Sequence, residues 1–277
     1  MSAPRLLLVG FAIALLGGVS SSVAGSGALR VCADPNNLPY SNDQLEGFEN
    51  RLAVLVARDL GFADVRYTWW AQRRGFLRNT LNAAECDVVM GVPSNIDGAI
   101  TTRPYYRSTY AFVWRADRHL QPTSLDDPRL RQWRVGVPLV GDDGANPPPA
   151  HALSRRGIIR NVVGYTVYGN YAEQNPTARI VTAVAAGDID VAIAWGPIAG
   201  YFASVAAVPL VVRSIPQPPD RPSLPFSFDI SMAVRRDDAT LRSRLDSFIV
   251  RRRNEIRSLL ARYHIPNINP LADEATP

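Results

Sequence analysis

The sequence predicts an α/β protein with two lobes, a cleft between the lobes and two hinge crossings. Strands and helices alternate through two successive stretches of the chain, which is typical of open and mostly parallel sheets. Two short segments, near 110–117 and 211–215, cross between these stretches. The chain has 277 residues, of which 47% are hydrophobic, and this is enough to bury a core in each lobe.

Residues 1–24 have the features of a cleavable secretory signal peptide. Arg5 supplies an early positive charge, an apolar run follows over 6–16, and small residues end at Ala24. The apolar run is too short to span a bilayer comfortably, although an uncleaved membrane anchor is the alternative. We therefore expect export to the periplasm of a Gram-negative cell, with no inserted segment in the mature protein.

The first lobe is expected over 25–113 and 216–265. The stretch 216–225 contains five prolines, which are incompatible with a helix or a central strand. The tail over 266–277 is expected to be loose. The predicted elements are strands at 29–33, 65–69, 87–91, 110–115 and 228–234, and helices at 47–60, 75–83 and 237–264.

The second lobe is expected over 114–215. Before Trp195 the chain runs through a helix end, a polar turn and a buried strand, which is the same order as over 81–90 in the first lobe. The two lobes are therefore expected to be similar units. The predicted elements are strands at 133–137, 162–167 and 190–195, and a helix at 177–186.

The carboxyl ends of the parallel strands are expected to line the cleft, because ligands of open α/β sheets bind beyond those ends. Aromatic side chains in this region suit an apolar ligand or a side chain inserted by a partner, and the alternative is that several of them pack in the core of the lobes. The expected cleft residues are Asp34, Asn36, Asn37, Tyr40, Trp70, Arg73, Arg74, Gly91, Pro93, Tyr105, Tyr106, Tyr168, Trp195 and Pro197.

The basic residues are all arginine, 30 in number against 25 acidic residues, and they give a formal net charge of +5. This excess is spread along the chain, so a nucleic-acid partner is not expected. Arg73, Arg74 and Arg78 cluster at a helix start. They form either ordinary solvated surface or a docking site for an acidic partner.

Motifs of catalysis and of metal binding are scarce. His119, His151 and His264 are scattered, and neither HExxH nor Gly-x-Ser-x-Gly occurs. Asp142 and Asp143 are adjacent carboxylates, but a calcium site needs roughly six or more oxygen ligands. We therefore expect no enzymatic activity, no metal and no cofactor.

The two cysteines, Cys32 and Cys86, are expected on neighbouring strands of an exported protein. Their placement predicts a disulfide in an oxidising compartment. The alternative is a register offset that keeps the two Cα atoms more than roughly 7 Å apart.

Five segments carry a resemblance to a known family. They are VCADPNNLPYSN at 31–42, TWWAQRRGFLRNTL at 68–81, ECDVVMGVP at 85–93, TTRPYYRSTYAFV at 101–113 and GDIDVAIAWGPIAGY at 187–201. The chain resembles periplasmic substrate-binding proteins of the type II fold, and within them the branch associated with quinoprotein methanol dehydrogenases. The resemblance implies a non-enzymatic accessory protein. It would bind a pyrroloquinoline-quinone (PQQ)-dependent methanol or alcohol dehydrogenase, and also that enzyme's cytochrome c, and assist maturation or activation.

The sequence departs from the amino-acid receptors of this fold at both of their charge clamps. Those receptors commonly carry a Ser-x-Thr-x-x-Arg stretch after the third strand, and the stretch 93–98 here has no arginine. Trp195 stands where they often place an aspartate. An alternative function is a solute receptor of an ABC-type uptake system for a partly apolar ligand that is not an amino acid. A dehydratase of cyclohexadienyl acids would need the missing arginine.

Overall fold

A computed structural model describes residues 25–139, 146–166, 171–217 and 224–266. The predicted signal peptide, Tyr168, Asp142, Asp143 and the tail from residue 267 lie outside the described residues. The described strands are β1 (Gly25–Ala33), β2 (Asn36–Asn37), β3 (Ser41–Asn42), β4 (Phe62–Trp69), β5 (Val88–Pro93), β6 (Ile100–Thr101), β7 (Tyr106–Arg115), β8 (Val135–Leu139), β9 (Val162–Thr166), β10 (Val191–Trp195), β11 (Leu210–Ser214) and β12 (Ser227–Val234). The described helices are α1 (Phe48–Leu60), α2 (Phe76–Asn79), α3 (Pro148–Arg155), α4 (Arg179–Ala186), α5 (Gly196–Ser204), α6 (Ala239–Arg251) and α7 (Arg253–Arg262).

The main sheet runs in the order β4-β1-β5-β12-β7-β10-β8-β9. In the first lobe β1 pairs in parallel with β4 and β5, and in the second lobe β8 pairs in parallel with β9 and β10. Parallel neighbours joined by crossover helices make each lobe an α/β unit. The predicted two-lobed α/β architecture is therefore confirmed.

The long strand β7 belongs to both lobes. Its first part, Tyr106 to Thr109, pairs with β12, and its second part pairs with β10 and β11. The chain thus passes from one lobe to the other within a single strand. Ala111 and Val113 pack in the second lobe's core, so that the boundary expected at residue 113 falls inside the second-lobe part of the strand.

Each lobe buries apolar side chains on both faces of its sheet. In the first lobe, α1, α6 and α7 cover one face, and the residues around the cysteines cover the other. In the second lobe, α4 and α5 pack on one face and α3 on the other. The disulfide between Cys32 and Cys86 is present, with 5.5 Å between the Cα atoms, because β1 and β5 are neighbours in register.

Three predicted helices differ from the observed ones. The long helix predicted at 237–264 is two helices, because the backbone of Arg252 departs from helical geometry where its guanidinium reaches Asp59 on α1 at 2.7 Å. The helix predicted at 75–83 ends at Asn79, where the Thr80 hydroxyl bonds back to the Phe76 carbonyl at 2.6 Å. The helix predicted at 177–186 opens with a short 3₁₀ turn, Pro176–Ala178.

Two helices, α3 and α5, are absent from the sequence prediction. Both begin with proline in their first turn, where a missing N–H costs nothing. Helix α5 follows β10 with no intervening loop, so the stretch expected as an open strand end is already helical. No helix in the described ranges is long and apolar enough to cross a membrane.

Candidate functional site

A cavity of about 290 Å³ lies between the two lobes. The first lobe contributes the loop after β1, the start of α1, and β5. The second lobe contributes the end of β10 and the starts of α4 and α5. Among the described residues its lining is Asn37, Tyr40, Glu49, Gln72, Gly91, Val92, Pro93, Tyr106, Tyr110, Pro138, Pro147, Thr177, Ile180, Ala194, Trp195, Ile198, Phe228 and Ile230.

The loop that carries Asn37 and Tyr40 is held against the first turn of α1. The backbone N–H groups of Phe48 and Glu49 donate to the carbonyls of Pro39 and Tyr40 at 2.8 and 2.9 Å. These donors would otherwise be unsatisfied at the helix start. Gly47 permits the approach, because a Cβ there would lie 2.0 Å from the Tyr40 carbonyl oxygen. The loop is thereby fixed at the mouth of the cavity.

Among the described lining residues, Glu49 is the one with an acidic side chain, and none of them is an arginine or a histidine. It is 8% exposed, and burial raises the pKa of its carboxyl to about 8. Opposite it lies Gly91 on β5, where a Cβ would stand 2.0 Å from Oε1 of Glu49. The side-chain space of position 91 is therefore occupied by the carboxyl. This arrangement presents a mainly protonated acid to the cavity at neutral pH.

Three aromatic rings from three strands meet on another side of the cavity, and we call them the aromatic wall: Tyr110, Trp195 and Phe228. The rings of Tyr110 and Trp195 lie 5.3 Å apart, and those of Trp195 and Phe228 lie 5.7 Å apart, both in edge-to-face geometry. Trp195 is half-buried at the end of β10. The wall offers aromatic surface close to where β7 passes between the lobes.

Asp34 and Asn36 join the lobes instead of lining the cavity. The Asp34 carboxylate accepts hydrogen bonds from the Gln72 backbone N–H at 2.7 Å and from the Tyr171 hydroxyl of the second lobe at 3.0 Å. The Asn36 amide donates to the Glu173 carbonyl at 2.8 Å. Polar groups beside the cleft therefore hold the lobes together in this conformation.

A second set of contacts, made by Gly200 and Tyr201 of α5, joins the second lobe to the end of α7, and Ser108 of the first lobe also bonds to the chain after α7. Gly200 on α5 lies so close to the chain after α7 that a Cβ there would be 1.9 Å from the His264 carbonyl oxygen. The rings of Tyr201 and Tyr263 stack at 5.9 Å. The Ser108 hydroxyl donates to the Pro266 carbonyl at 2.8 Å.

The cavity brings together six of the predicted cleft residues: Asn37, Tyr40, Gly91, Pro93, Tyr106 and Trp195. Others lie outside its lining. Trp70, Arg73 and Arg74 are exposed, Tyr105 is buried in the core beside Tyr106, and Pro197 is buried in the first turn of α5. A binding role for any of these residues remains a prediction.

Sequence reasoning missed Glu49, Gln72, Tyr110 and Phe228 as lining residues. Glu49 is the most consequential of these omissions. It was overlooked because an acid in the first turn of a helix looks like an ordinary favourable charge at the positive end of the helix dipole. Its separation of 42 positions from Gly91 hides their contact, since only the fold brings α1 and β5 together.

A metal site is not formed by the described residues, since nowhere in those ranges do three His, Cys, Asp or Glu side chains converge. The cavity lining in the same ranges likewise holds a single carboxyl. Its chemistry is that of a binding pocket with one acidic group and several aromatic rings.

Comparison with known proteins gives a consistent set of relatives, although no protein-family model matches the chain. Protein MoxJ of Methylorubrum extorquens (strain AM1) is 31% identical over 249 residues, covering 87% of this chain and 82% of MoxJ. The crystal structure of the periplasmic binding protein XoxJ from Methylobacterium extorquens AM1 matches 87% of this chain and 100% of its own, at 33% identity and a TM-score of 0.71. The crystal structure of MxaJ from Methlophaga aminisulfidivorans MPT has the same coverages, at 27% identity and a TM-score of 0.75.

Proposed function

Because the chain belongs to the family of the MoxJ, XoxJ and MxaJ periplasmic binding proteins, we propose that it is a non-enzymatic accessory protein of a quinoprotein methanol dehydrogenase. It acts in the periplasm and takes a segment of the dehydrogenase into its interlobe cleft. This binding assists maturation or activation of the enzyme. The cytochrome c of the same system is a second partner under this proposal.

The observation that supports a partner segment is the composition of the cavity lining. No arginine lines it within the described residues, and the second lobe offers Ile180, Ala194 and Ile198 in place of a charged clamp. A free amino acid would leave its carboxylate unpaired there, which is costly in an apolar site. Apolar and aromatic surface suits side chains that a partner protein inserts.

The fold supplies a way to hold such a segment. Strand β7 and the contacts at the end of α7 connect the lobes, and a hinged closure around a bound chain needs only a few residues to change backbone angles. With the lobes closed, the segment would be kept away from its final position in the dehydrogenase while that enzyme matures. Opening of the lobes then releases it.

The proposal is tested by binding of the tagged protein to a purified quinoprotein methanol dehydrogenase. We expect Trp195→Ala to weaken binding by about tenfold, which is the loss of one buried aromatic contact of roughly 1–2 kcal/mol. Trp70→Ala is the matched control, because this tryptophan is exposed and lies outside the cavity lining. Circular dichroism checks that both variants are folded.

Two results would contradict the proposal. If the unmodified protein does not retain the dehydrogenase and does not change its activity, the accessory function is wrong. If Trp70→Ala weakens binding and Trp195→Ala does not, the dehydrogenase docks outside the cleft and the inserted segment is wrong.

A solute receptor for an uptake system is the second candidate. The size of the cavity favours it, since about 290 Å³ accommodates a small organic molecule. A ligand released on denaturing the purified protein and identified by mass spectrometry, together with no binding to the dehydrogenase, would establish this function instead.

A further inference from the structure

The cavity contains an acidic group that has no partner among the residues that the structure describes. The Glu49 carboxyl is 8% exposed and makes neither a hydrogen bond nor an ion pair with any of the residues that the structure describes. A buried ionised carboxylate without a partner is strongly disfavoured. A carboxyl kept at the edge of a binding cavity in this condition is suited to pair with a group that a ligand brings.

The position of Glu49 is built by two elements that are distant in sequence. Its backbone N–H donates to the Tyr40 carbonyl at 2.9 Å, which sets the first turn of α1 against the loop after β1. On the other side, the missing side chain of Gly91 provides the space that Oε1 occupies. The carboxyl is therefore held at the cavity surface by packing on both sides.

The rings around the cavity favour the same type of ligand. Tyr40 and Tyr106 line it near the first lobe, and the aromatic wall lines it elsewhere. The faces of aromatic rings attract cations, and this attraction is larger when the site is desolvated. No Arg or His side chain belongs to the described lining, so nothing basic there competes for the carboxyl.

We propose that the cavity is a site for an organic cation, namely a primary ammonium or a guanidinium group carried on an apolar body. The positive charge pairs with the Glu49 carboxylate, and the apolar body lies against the aromatic wall. This inference rests on the proposed use of the cleft for binding. It adds the chemistry of the ligand: a lysine, arginine or terminal amine of the dehydrogenase segment, or a free amine of the same character.

Protonation of Glu49 gives the proposal a distinctive signature. The carboxyl has a pKa of about 8, so a bound cation must displace its proton at neutral pH. The facing tyrosines, Tyr67, Tyr105 and Tyr106, have pKa values that burial raises above their ordinary value of 10, so they stay neutral in this range. Affinity for a cation therefore rises with pH up to about 8, and affinity for a neutral hydrogen-bond acceptor falls.

The experiment compares benzylamine with benzyl alcohol, which has nearly the same shape but no charge. Calorimetry on the purified protein measures both affinities between about pH 6 and pH 8. At about pH 8 we expect benzylamine to bind at least about tenfold more tightly than benzyl alcohol. Its own affinity is expected to rise about tenfold from pH 6 to pH 7 and about fivefold from pH 7 to pH 8, in step with the ionised fraction of Glu49. Glu49→Gln is expected to remove both effects. Glu85→Gln, which alters an exposed carboxylate outside the cavity lining, is expected to keep them.

Three results would overturn the cation site: equal binding of the two probes, no binding of either, or an affinity for benzylamine that is constant or falls with pH. None of these depends on whether Glu49→Gln folds, because they are measured on the unmodified protein.

Competition with the dehydrogenase identifies the source of the cation. If benzylamine displaces a purified quinoprotein methanol dehydrogenase, the enzyme itself supplies the cationic group. If the dehydrogenase still binds in the presence of benzylamine, the ligand is a free amine. If the dehydrogenase never binds while benzylamine behaves as expected, the proposed function fails and the cation site stands.

Discussion

The two walls of the cleft differ in what they offer a ligand. The first-lobe wall carries Asn37, Glu49 and Gln72 in the lining, and we call these three residues the polar wall. The second-lobe wall is mostly apolar. The Thr177 hydroxyl, on the second-lobe side, is engaged with the Leu38 carbonyl at 2.6 Å. Apolar contact is non-directional. If the cleft binds as proposed, we expect the second lobe to contribute affinity for many shapes and the first lobe to determine which chemistry is accepted.

The same contrast holds for the way in which each lobe is stabilised. The two cysteines of the chain both lie in the first lobe, where their disulfide joins β1 to the turn that precedes β5. The second lobe is held by packing on the two faces of its sheet. The lobe that carries the unfavourable buried acid is thus also the lobe with the covalent cross-link.

The largest expected effect is on the pH dependence of stability, and it comes from Glu49. Folding raises the pKa of this carboxyl from 4.5 to about 8, so the folded state holds the proton more tightly. The free energy of unfolding therefore falls as pH rises from about 4.5 to about 8, by on the order of 5 kcal/mol as an upper bound. Denaturant unfolding should show that Glu49→Gln removes this fall and is more stable than the unmodified protein at about pH 8.

The control for this prediction is again Glu85→Gln, because an exposed carboxylate is solvated in both states. Its unfolding curve should follow that of the unmodified protein at every pH. If Glu49→Gln keeps the full pH dependence, the carboxyl is ionised in the empty cleft and the polar wall is solvated.

Removal of the disulfide should destabilise the first lobe and leave the stability of the second lobe unchanged. The Cys32→Ala/Cys86→Ala variant is expected to lose about 2–4 kcal/mol of stability, because the bond closes a long loop in the unfolded chain. Hydrogen exchange should show the loss at Val31 and Val89 in the first lobe, with the protection of Ile193 in the second lobe unchanged. Reduction of the unmodified protein should give the same pattern. Equal loss of protection in both lobes would mean that the lobes unfold as one unit.

The sequence is informative about the fold because the fold depends on local patterns. Apolar runs such as 191–194 and the apolar face of α1 show their structure within a few residues. The pairing of Cys32 with Cys86 follows from two predicted neighbouring strands. The break at Arg252 was not predictable in the same way, because the stretch 237–264 contains neither proline nor glycine and the contact that accompanies the break is with Asp59, nearly two hundred positions away on α1.

The candidate site is less predictable because its properties depend on contacts between distant segments. Trp195 and Tyr40 were expected from the strand ends, and they do line the cavity. Asp34 was expected as a cleft group for the same reason, but its carboxylate is occupied by Gln72 and Tyr171. Whether a polar side chain at a strand end faces a ligand or bonds to the other lobe depends on side-chain partners that no local pattern specifies.

The smallest expected effect concerns the contact between the walls. Tyr171→Phe removes the hydroxyl that donates to Asp34 at 3.0 Å, while the Asn36–Glu173 and Thr177–Leu38 bonds remain. One such bond is worth about 1 kcal/mol, so the ratio of open to closed molecules should rise roughly fivefold. Small-angle scattering should then show a larger radius of gyration if open molecules are already populated.

Tyr165→Phe is the control, since that ring packs against Gly136 within the second lobe and should leave the scattering unchanged. An unchanged radius for Tyr171→Phe, with the fold intact, would show that the end of α7 and strand β7 hold the lobes closed without this bond, so that the polar wall selects ligands but does not govern closure.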